Sequence, residues 1–307
     1  MAKVFIDGSA GTTGLRIFDR LKDRADIELI TLSDELRKDI GARREMLNSC
    51  DIAFLCLPDK AAMEAVSLIE NDKVAVIDTS TAHRVSDGWT YGFAELLSSY
   101  DDIKNSKRIA NPGCHASGFN ALVAPLTKAG VLKKDANLSC FSLTGYSGGG
   151  KQMIAQYEDE SKDSLLCAPR MYGLTQTHKH IPEMVKICSL DNAPAFCPVV
   201  ADFYSGMQVT VPVFKSDLNG TIDDIKAVYR EAYKGRVVHF DECADESGFM
   251  SASAYNLKDD MQITVCGNDD RILLVSRFDN LGKGASGSAI QNMNILLGVD
   301  ECTGLNI

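Results

Sequence analysis

A cysteine that follows a proline-glycine corner and precedes apolar residues at helical spacing stands at a helix start. Cys114 in NPGCHASG, residues 111–118, is placed this way. Pro112 and Gly113 form the corner, and Phe119, Leu122, Val123 and Leu126 continue a helix expected to stop at Gly130, with a kink at Pro125. The N–H groups and dipole at such a start favour thiolate over thiol, and the same N–H groups can hold the oxyanion that forms when sulfur attacks a carbonyl. Of the ten cysteines, none of the others combines a turn, small neighbours and a helix start. None forms a CxxC pair or a zinc-ribbon spacing, and cysteines such as Cys56 in IAFLCLP and Cys266 in ITVCG lie in apolar runs, where a thiol serves as a small buried hydrophobe.

A thiol nucleophile needs a proton partner, and the chain has five histidines, at 83, 115, 178, 180 and 239. His178 and His180, in THKHIPEM, stand out. Residues two apart share a face only in extended backbone, which Pro182 favours at Ile181, while the same proline suits the first turn of a helix running through Leu190. One of the pair can then face Cys114 while the other binds substrate or supports its neighbour. No third ligand at a suggestive spacing accompanies them, so no metal site is expected. His115 is expected to point away from the sulfur, and His83 and His239 read as surface or satisfied core imidazoles.

Several stretches suit anions. GSAGTTG, residues 8–14, lies between a strand-like run and a helix opening near Leu15. Glycines at a strand-to-helix junction let the backbone turn tightly and approach a pyrophosphate, so Gly8, Gly11, Thr12, Thr13 and Gly14 are the expected cofactor contacts. In LITLSDELRK, Ser33, Arg37 and Lys38 suit a 2′-phosphate, while Asp34 suits an unmodified ribose; NADP(H) is the expected cofactor. SGGGK, residues 147–151, offers Ser147, Gly148 and Lys151 either as a nest for phosphate or carboxylate or as a hinge. Arg84, in DTSTAHR, lies at the end of the fourth strand-like run, near where ligands gather in open α/β sheets, and could grip a substrate anion. DNLGKGASG supplies a second glycine loop, at 282, 284 and 287, before a helix over residues 284–297 with one apolar stripe.

The elements that must position these groups fall into two patterns. Residues 3–6, 27–32, 52–57 and 74–77 are strand-like and alternate with amphipathic segments, and runs apolar at nearly every position suit parallel strands buried on both faces. A doubly wound α/β sheet is expected there. After about residue 115 the strands lengthen: LSCFSLTGY, GMQVTVPVF, VVHF, MQITVCG and RILLVSRF. The last two are expected to form a hairpin turned by Asn268, Asp269 and Asp270, so the second domain reads as α+β with a mixed or antiparallel sheet. The 307 residues suit about two domains. A net charge of −10 without a basic cluster argues against nucleic acid, and no apolar run is long enough for a membrane span. The opening MAKVFIDGSAG has no secretory pattern, so a cytoplasmic compartment with free thiols is expected.

Taken together, GSAGTTG, DTSTAHR, YGFAEL, ANPGCHASG, SGGGK, HKHIPE and DNLGKGASGSAIQNMN resemble, in order and over nearly the whole length, the shorter form of the N-acetyl-γ-glutamyl-phosphate reductases of arginine biosynthesis. The resemblance implies an NADP-binding Rossmann domain over residues 1–113, completed by the C-terminal helix within 284–307. A semialdehyde-dehydrogenase-like domain over 114–283 would carry catalysis and oligomerisation. Cys114 would be the nucleophile, His180 in preference to His178 the acid-base group, and Lys283 and Gly284 would join the glycine loop at the cofactor. The implied reaction is NADPH-dependent reduction of N-acetyl-L-glutamyl 5-phosphate through a thioester, by a dimer or tetramer. Another acyl-phosphate reductase, such as an aspartate-semialdehyde dehydrogenase, and a non-catalytic NADP-binding regulatory module are the alternatives.

Overall fold

The βαβ rhythm of the first hundred residues folds, in the computed structural model, into a sheet with helices on both faces. The structure describes residues 1–96 and 99–307, and of Thr12 the backbone alone. It divides into one unit of residues 1–94, 98–112 and 285–305 and another of residues 95–97, 113–284 and 306–307.

The elements of the first unit run β1 (Ala2–Asp7), α1 (Thr12–Leu21), β2 (Ile27–Ile30), α2 (Ile40–Ser49), β3 (Ile52–Leu55), α3 (Asp59–Ser67), β4 (Ala75–Asp78), β5 (Thr90–Tyr91), α4 (Ser99–Asn105) and β6 (Arg108–Ala110). The strands are all parallel, in the order β2-β1-β3-β4-β6-β5. Every residue of β3 and β4 is buried, as parallel strands covered on both faces require. Alternate side chains feed two cores. Val4, Ile6, Phe54 and Ile77 pack with Ile17 of α1 and Ile103 of α4, whereas Phe5, Ala53, Leu55 and Val76 pack with Leu47 of α2 and Ala62 and Ala65 of α3.

The helix Gly287–Leu297 belongs to the first core through Ala289, Ile290 and Met293. Its polar residues are buried as well as its apolar ones, so the expected single stripe is replaced by a helix enclosed all round. The amides make this affordable: Asn292 Nδ2 donates to Gly92 O at 2.9 Å, and Asn294 Nδ2 to the carbonyls of Glu301 and Thr303, both at 2.9 Å.

The second unit continues with α5 (Cys114–Lys128), β7 (Ser139–Gly145), α6 (Gly150–Glu158), β8 (Arg170–Met171), α7 (His180–Cys188), β9 (Ala195–Ala201), β10 (Met207–Phe214), α8 (Ile222–Ala232), β11 (Val238–Phe240), β12 (Met261–Gly267) and β13 (Arg271–Phe278). Its sheet is mixed, in the order β11-β12-β13-β10-β7-β9-β8. β12 and β13 form the expected antiparallel hairpin, and Asn268 and Arg271 exchange backbone bonds across its turn. β9, which carries Pro198, lies between β7 and the short β8 and has no counterpart among the strands read from the sequence.

α5 continues through Pro125 to Lys128. Proline lacks the N–H that would bond to the carbonyl four residues back, here Ala121. Tyr233 Oη donates to that carbonyl at 2.5 Å, and Tyr229 Oη to the next, Leu122 O, at 2.5 Å. Both tyrosines are buried and come from α8 or the residue after it, so the proline's deficit is made good by a neighbouring element.

A candidate cysteine-histidine active site

From Gly113 to Thr127 every residue is buried except Cys114, which is half-buried. α5 begins at Cys114 after an extended N-cap, Gly113, that supplies no side-chain cap. The Gly113 N–H donates to Glu183 Oε1 at 2.9 Å, so a buried carboxylate of α7 holds the corner just before the sulfur. On the other side, an added Cβ at Gly284 would lie 2.9 Å from Cys114 Cβ and 3.1 Å from Asp279 O. Gly284 is therefore a glycine because it packs against the cysteine. Gly118 fits α5 to the sheet in the same way, since a Cβ there would come within 2.5 Å of Val209 Cγ2.

The histidine pair is close, but not by the extended backbone expected. Lys179 is helical and His180 opens α7, so a tight turn brings the two rings to 4.8 Å between centroids. His180 N–H donates to His178 Nδ1 at 3.2 Å. Gln176, with φ of 57°, pins the preceding loop to β9: its Oε1 accepts from Phe196 N at 2.9 Å and its Nε2 donates to Phe196 O at 2.7 Å. His115, the residue after the cysteine, lies 5.5 Å from the His180 ring and 5.9 Å from that of His178, so both histidines gather at the start of α5. Burial, and then the Lys179 charge, push His178 below the usual imidazole value, leaving it neutral.

His115 is buried between two hydroxyls, with Nδ1 2.6 Å from Ser142 Oγ and Nε2 2.6 Å from Tyr172 Oη. Burial and the neighbouring His178 push it down to about 3. Sequence reasoning missed Tyr172, Ser142 and Glu183 as parts of this cluster. Glu183 was within reach as the last letter of HKHIPE; Tyr172 and Ser142 sit in no pattern that points to the cysteine.

The DNLGKGASG loop is organised by its first two residues. Asp279 Oδ1 accepts from Leu281 N and Gly282 N, both at 2.7 Å, and Oδ2 from Leu257 N at 2.7 Å and Ser205 Oγ at 2.6 Å. Asn280 accepts from Gly206 N and donates to Ser147 Oγ, each at 3.0 Å. Two expected ligand residues thus have internal uses. Ser147 is buried against Asn280, and Lys283 is fully buried with Nζ 2.6 Å from Glu95 Oε2. The nest reading of SGGGK loses its serine side chain to this packing, while Gly148 and Lys151 remain exposed beside and within the first turn of α6.

In the first unit the strand order reverses about β1, and the crevice of an open sheet lies beyond the carboxyl ends of the strands at that point. GSAGTTG leaves the end of β1 there. Gly8 has φ of 90°, and a Cβ on it would collide with Cys56 O after β3; one on Gly14 would collide with Gly8 O. Gly11 is the N-cap of α1, again with no side-chain cap. This cradle fits a dinucleotide pyrophosphate: no side chain intrudes from the glycines, and a helix start faces the gap. Thr13 is half-buried in the first turn, and the side chain of Thr12 lies outside the described residues. Below the loop, the buried Asp7 receives Arg43 Nη2 at 2.9 Å. Burial raises the Asp7 carboxyl against the opposing pull of Arg43. Ser33 and Arg37 are exposed in the turn after β2, and Arg37 lies 3.3 Å from Asp34.

Arg84 bridges backbone, with Nε to Asn111 O at 2.9 Å and Nη2 to Thr79 O at 3.1 Å, so two of its donors tie strand ends together instead of facing a ligand. His83 has more context than its sequence surroundings offer. Its Nδ1 is 2.6 Å from Asp78 Oδ2, and its ring stacks on Trp89 at 4.0 Å. Among the described residues no group of three or more His, Cys, Asp or Glu could hold a metal ion, and no helix is long and apolar enough to cross a membrane.

Comparison with known proteins accounts for both units. Residues 3–106 match the semialdehyde dehydrogenase NAD-binding domain family, and residues 114–280 the semialdehyde dehydrogenase dimerisation domain family. The N-acetyl-gamma-glutamyl-phosphate reductase of Allorhizobium ampelinum is 46% identical over 307 residues, covering 96% of this chain and 99% of the relative. N-acetyl-gamma-glutamyl-phosphate reductase 2 of a Nostoc species is 42% identical over 318 residues, covering 99% of each. The crystal structure of aspartate semialdehyde dehydrogenase II from Vibrio cholerae, complexed with ASA, superposes with a TM-score of 0.73 at 16% identity, over 97% of this chain and 98% of that one, which establishes a shared fold. The chain belongs to the N-acetyl-gamma-glutamyl-phosphate reductase family, within the semialdehyde dehydrogenase fold.

Proposed function

We propose that this chain reduces N-acetyl-L-glutamyl 5-phosphate to N-acetyl-L-glutamate 5-semialdehyde and phosphate, in arginine biosynthesis in the cytoplasm, with Cys114 as nucleophile. The observation that carries the reading is the half-buried thiol at the head of an otherwise buried helix, with the His178 and His180 rings gathered against His115, the residue that follows it. The names of the relatives supply the substrate. Gly8, Gly11, Thr12, Thr13 and Gly14 hold the cofactor pyrophosphate, and Ser33 with Arg37 receives the 2′-phosphate of NADP. Reduced nicotinamide, when bound, supplies a hydride to the acyl carbon.

The protein's own groups do the rest. The Cys114 thiolate attacks the acyl phosphate carbon, the C–O bond to phosphate breaks, and a thioester remains. The N–H groups that open α5 stabilise each oxyanion formed on that carbon. After reduction, His180 donates a proton to the thiohemiacetal oxygen and takes it back as the C–S bond breaks, releasing aldehyde and thiolate. His178 supports it through the bond from His180 N–H, which fixes the position of His178. Lys151 and Gly148 suit the leaving phosphate. Gly284, Lys283 and Asp279 maintain the wall behind the sulfur.

The outward face of the second sheet carries Phe141 and Leu273 at 50% and 42% exposure, beside a 230 Å³ hollow lined by Leu143, Val199 and Thr210. With the dimerisation-domain match, this apolar face supports a homo-oligomer. The deciding assay follows phosphate-dependent NADP reduction by N-acetylglutamate 5-semialdehyde, with NAD and aspartate semialdehyde alongside. NADP with the acetylated aldehyde should be preferred, and Cys114→Ala should lower the rate by about 10³-fold or more. Unchanged turnover in that variant would remove the mechanism.

A further inference from the structure

The turn that carries His178 and His180 is tied to the sheet edge by a side chain in place of a strand. β8 pairs with β9 at Arg170 and Met171, and the Tyr172 N–H still donates to Pro198 O at 3.0 Å. The next edge position of β9 is the buried Phe196, which would face Leu174 if β8 continued in that register. Instead the chain closes a turn, with the Gln176 N–H donating to Gly173 O at 3.0 Å. Gln176 Nε2 donates to Phe196 O at 2.7 Å, and its Oε1 accepts from the Phe196 N–H at 2.9 Å. A carboxamide can do both at once, whereas a carboxylate has no donor. Gln176 also holds φ of 57°, a region that strains a side chain and suits glycine. The position keeps its amide in spite of that strain. The Phe196 ring, fixed in this way, meets His178 at 5.0 Å and His115 at 5.3 Å, both at steep angles.

The turn is held on its other flank as well. His180 is the first residue of α7, and Glu183, one turn on, lies on the same side of the helix. Its carboxylate is buried and accepts the Gly113 N–H at 2.9 Å, immediately before Cys114 opens α5. Burying a carboxylate is costly unless it is bonded, and the first turn of a helix is where its charge is best placed. Further along, Cys188 Sγ donates to Asn120 Oδ1 at 3.3 Å, and Thr127 Oγ1 to Cys188 O at 2.9 Å. These contacts advance along both helices in the same direction. α5 and α7 therefore begin at the same end, with Cys114 and His180 each the first residue of its helix.

We propose that Gln176 and Glu183 are positioning residues for the reaction at Cys114: Gln176 fixes the turn that carries His178 and His180 to the edge of β9, and Glu183 ties that turn to the residue before the nucleophile. Together they set where His180 stands relative to the sulfur. The proposal rests on the cysteine-histidine reading above and adds no covalent step.

The test uses Gln176→Ala, Glu183→Ala and Glu183→Gln in the full chain, each alone and combined with His180→Gln. Gln176→Ala should lower kcat about tenfold and Glu183→Ala about 10²-fold, with the KM for NADP within about twofold in both. Glu183→Gln keeps an oxygen able to accept from Gly113 and should recover most of the Glu183→Ala loss. With His180→Gln present, neither alanine should cost anything further, because the placement they secure is that of His180. A purely structural role would instead add its loss in either background. Proton NMR of the imidazoles reads the turn without turnover. The His178 ring meets His115, Tyr172 and His180 and adjoins Lys179, and its pH midpoint is low because burial and then the Lys179 charge disfavour the charged ring. Gln176→Ala should move that midpoint upward as the turn loosens into water, while the His83 and His239 signals stay in place. Gln176 is itself exposed, so its variant keeps the fold. Should Glu183→Ala not fold, Glu183→Asp, whose carboxylate falls one methylene short of Gly113, replaces it with the same expected loss. An unchanged kcat or His178 midpoint in Gln176→Ala, a Glu183→Gln no better than Glu183→Ala, or a full additive loss beside His180→Gln would overturn the proposal. If the parent chain does not turn over the acetylated aldehyde, the substrate reading fails while the His178 midpoint still decides the role of Gln176.

Discussion

The two glycine loops, GSAGTTG and DNLGKGASG, look alike as sequence and are built on opposite principles. In the first, Gly8 is required by the Cys56 carbonyl after β3 and Gly14 by the Gly8 carbonyl, and Gly11 begins a helix that no side chain caps. In the second, one aspartate fixes the loop from inside with four accepted bonds, the lysine is turned inward to a carboxylate, and Gly284 lies against the nucleophile. In the first loop it is Gly11 that keeps room open beside a helix start, the space the proposed cofactor would use, whereas the second is shaped around a side chain of its own protein. A glycine-rich motif therefore does not by itself announce a ligand; what its missing Cβ would touch decides the matter.

The contrast is broken most severely at Asp279. Asp279→Ala leaves the buried backbone N–H groups of Leu281 and Gly282, the N–H of the exposed Leu257 and the Ser205 hydroxyl without this acceptor, the buried ones each costing about 1–3 kcal/mol. Some of that is recovered by relaxation, so a loss of about 4 kcal/mol or more is expected in urea unfolding. A loss below about 1 kcal/mol would mean that the second loop is held by something else.

Gly284→Ala sharpens the comparison at the site itself. Its Cβ would press on Cys114 Cβ and the Asp279 carbonyl, and a displacement of the nucleophile by about 1 Å is enough to cost about 10²-fold in kcat. NADP affinity, measured by fluorescence titration, should stay within about twofold. If the cofactor affinity falls and kcat does not, Gly284 faces the dinucleotide as the family resemblance implied, and the internal reading of this loop is wrong.

The same contrast explains what was legible in the sequence. The parallel sheet could be read because strands such as IAFL, buried on both faces, must be apolar throughout. The hairpin at Asn268, Asp269 and Asp270 could be read because turn chemistry is local. Cys114 was legible for the same reason: a corner, a helix start and small neighbours are all within a few residues of it. β9 was hidden because Pro198 counts against a strand, although its neighbours supply a full parallel pairing with β7. How α5 accommodates Pro125 was hidden because the groups that satisfy the carbonyls near it are tyrosines more than a hundred positions away. Ser142 in β7 and Tyr172 just after β8 converge on His115 from distant parts of the chain, and a convergence of that kind leaves no spacing to detect.

The smallest expected effect is the most discriminating. At Gly11 an added Cβ would be 3.5 Å from Gly8 O, an ordinary contact, and the residue has φ of −75°, which any L-amino acid adopts. Gly11→Ala should therefore cost only about 0.5 kcal/mol, the modest penalty of alanine as an N-cap. The methyl group would nevertheless lie where the pyrophosphate must approach the helix start. NADP binding should weaken by about tenfold or more while the melting temperature moves by no more than about 3 °C. The pairing of an intact fold with a lost cofactor is what a loop built around external space requires. An alanine at Gly11 that leaves both unchanged would show that the dinucleotide does not come close to this helix start, and the first loop would then share the internal role of the second.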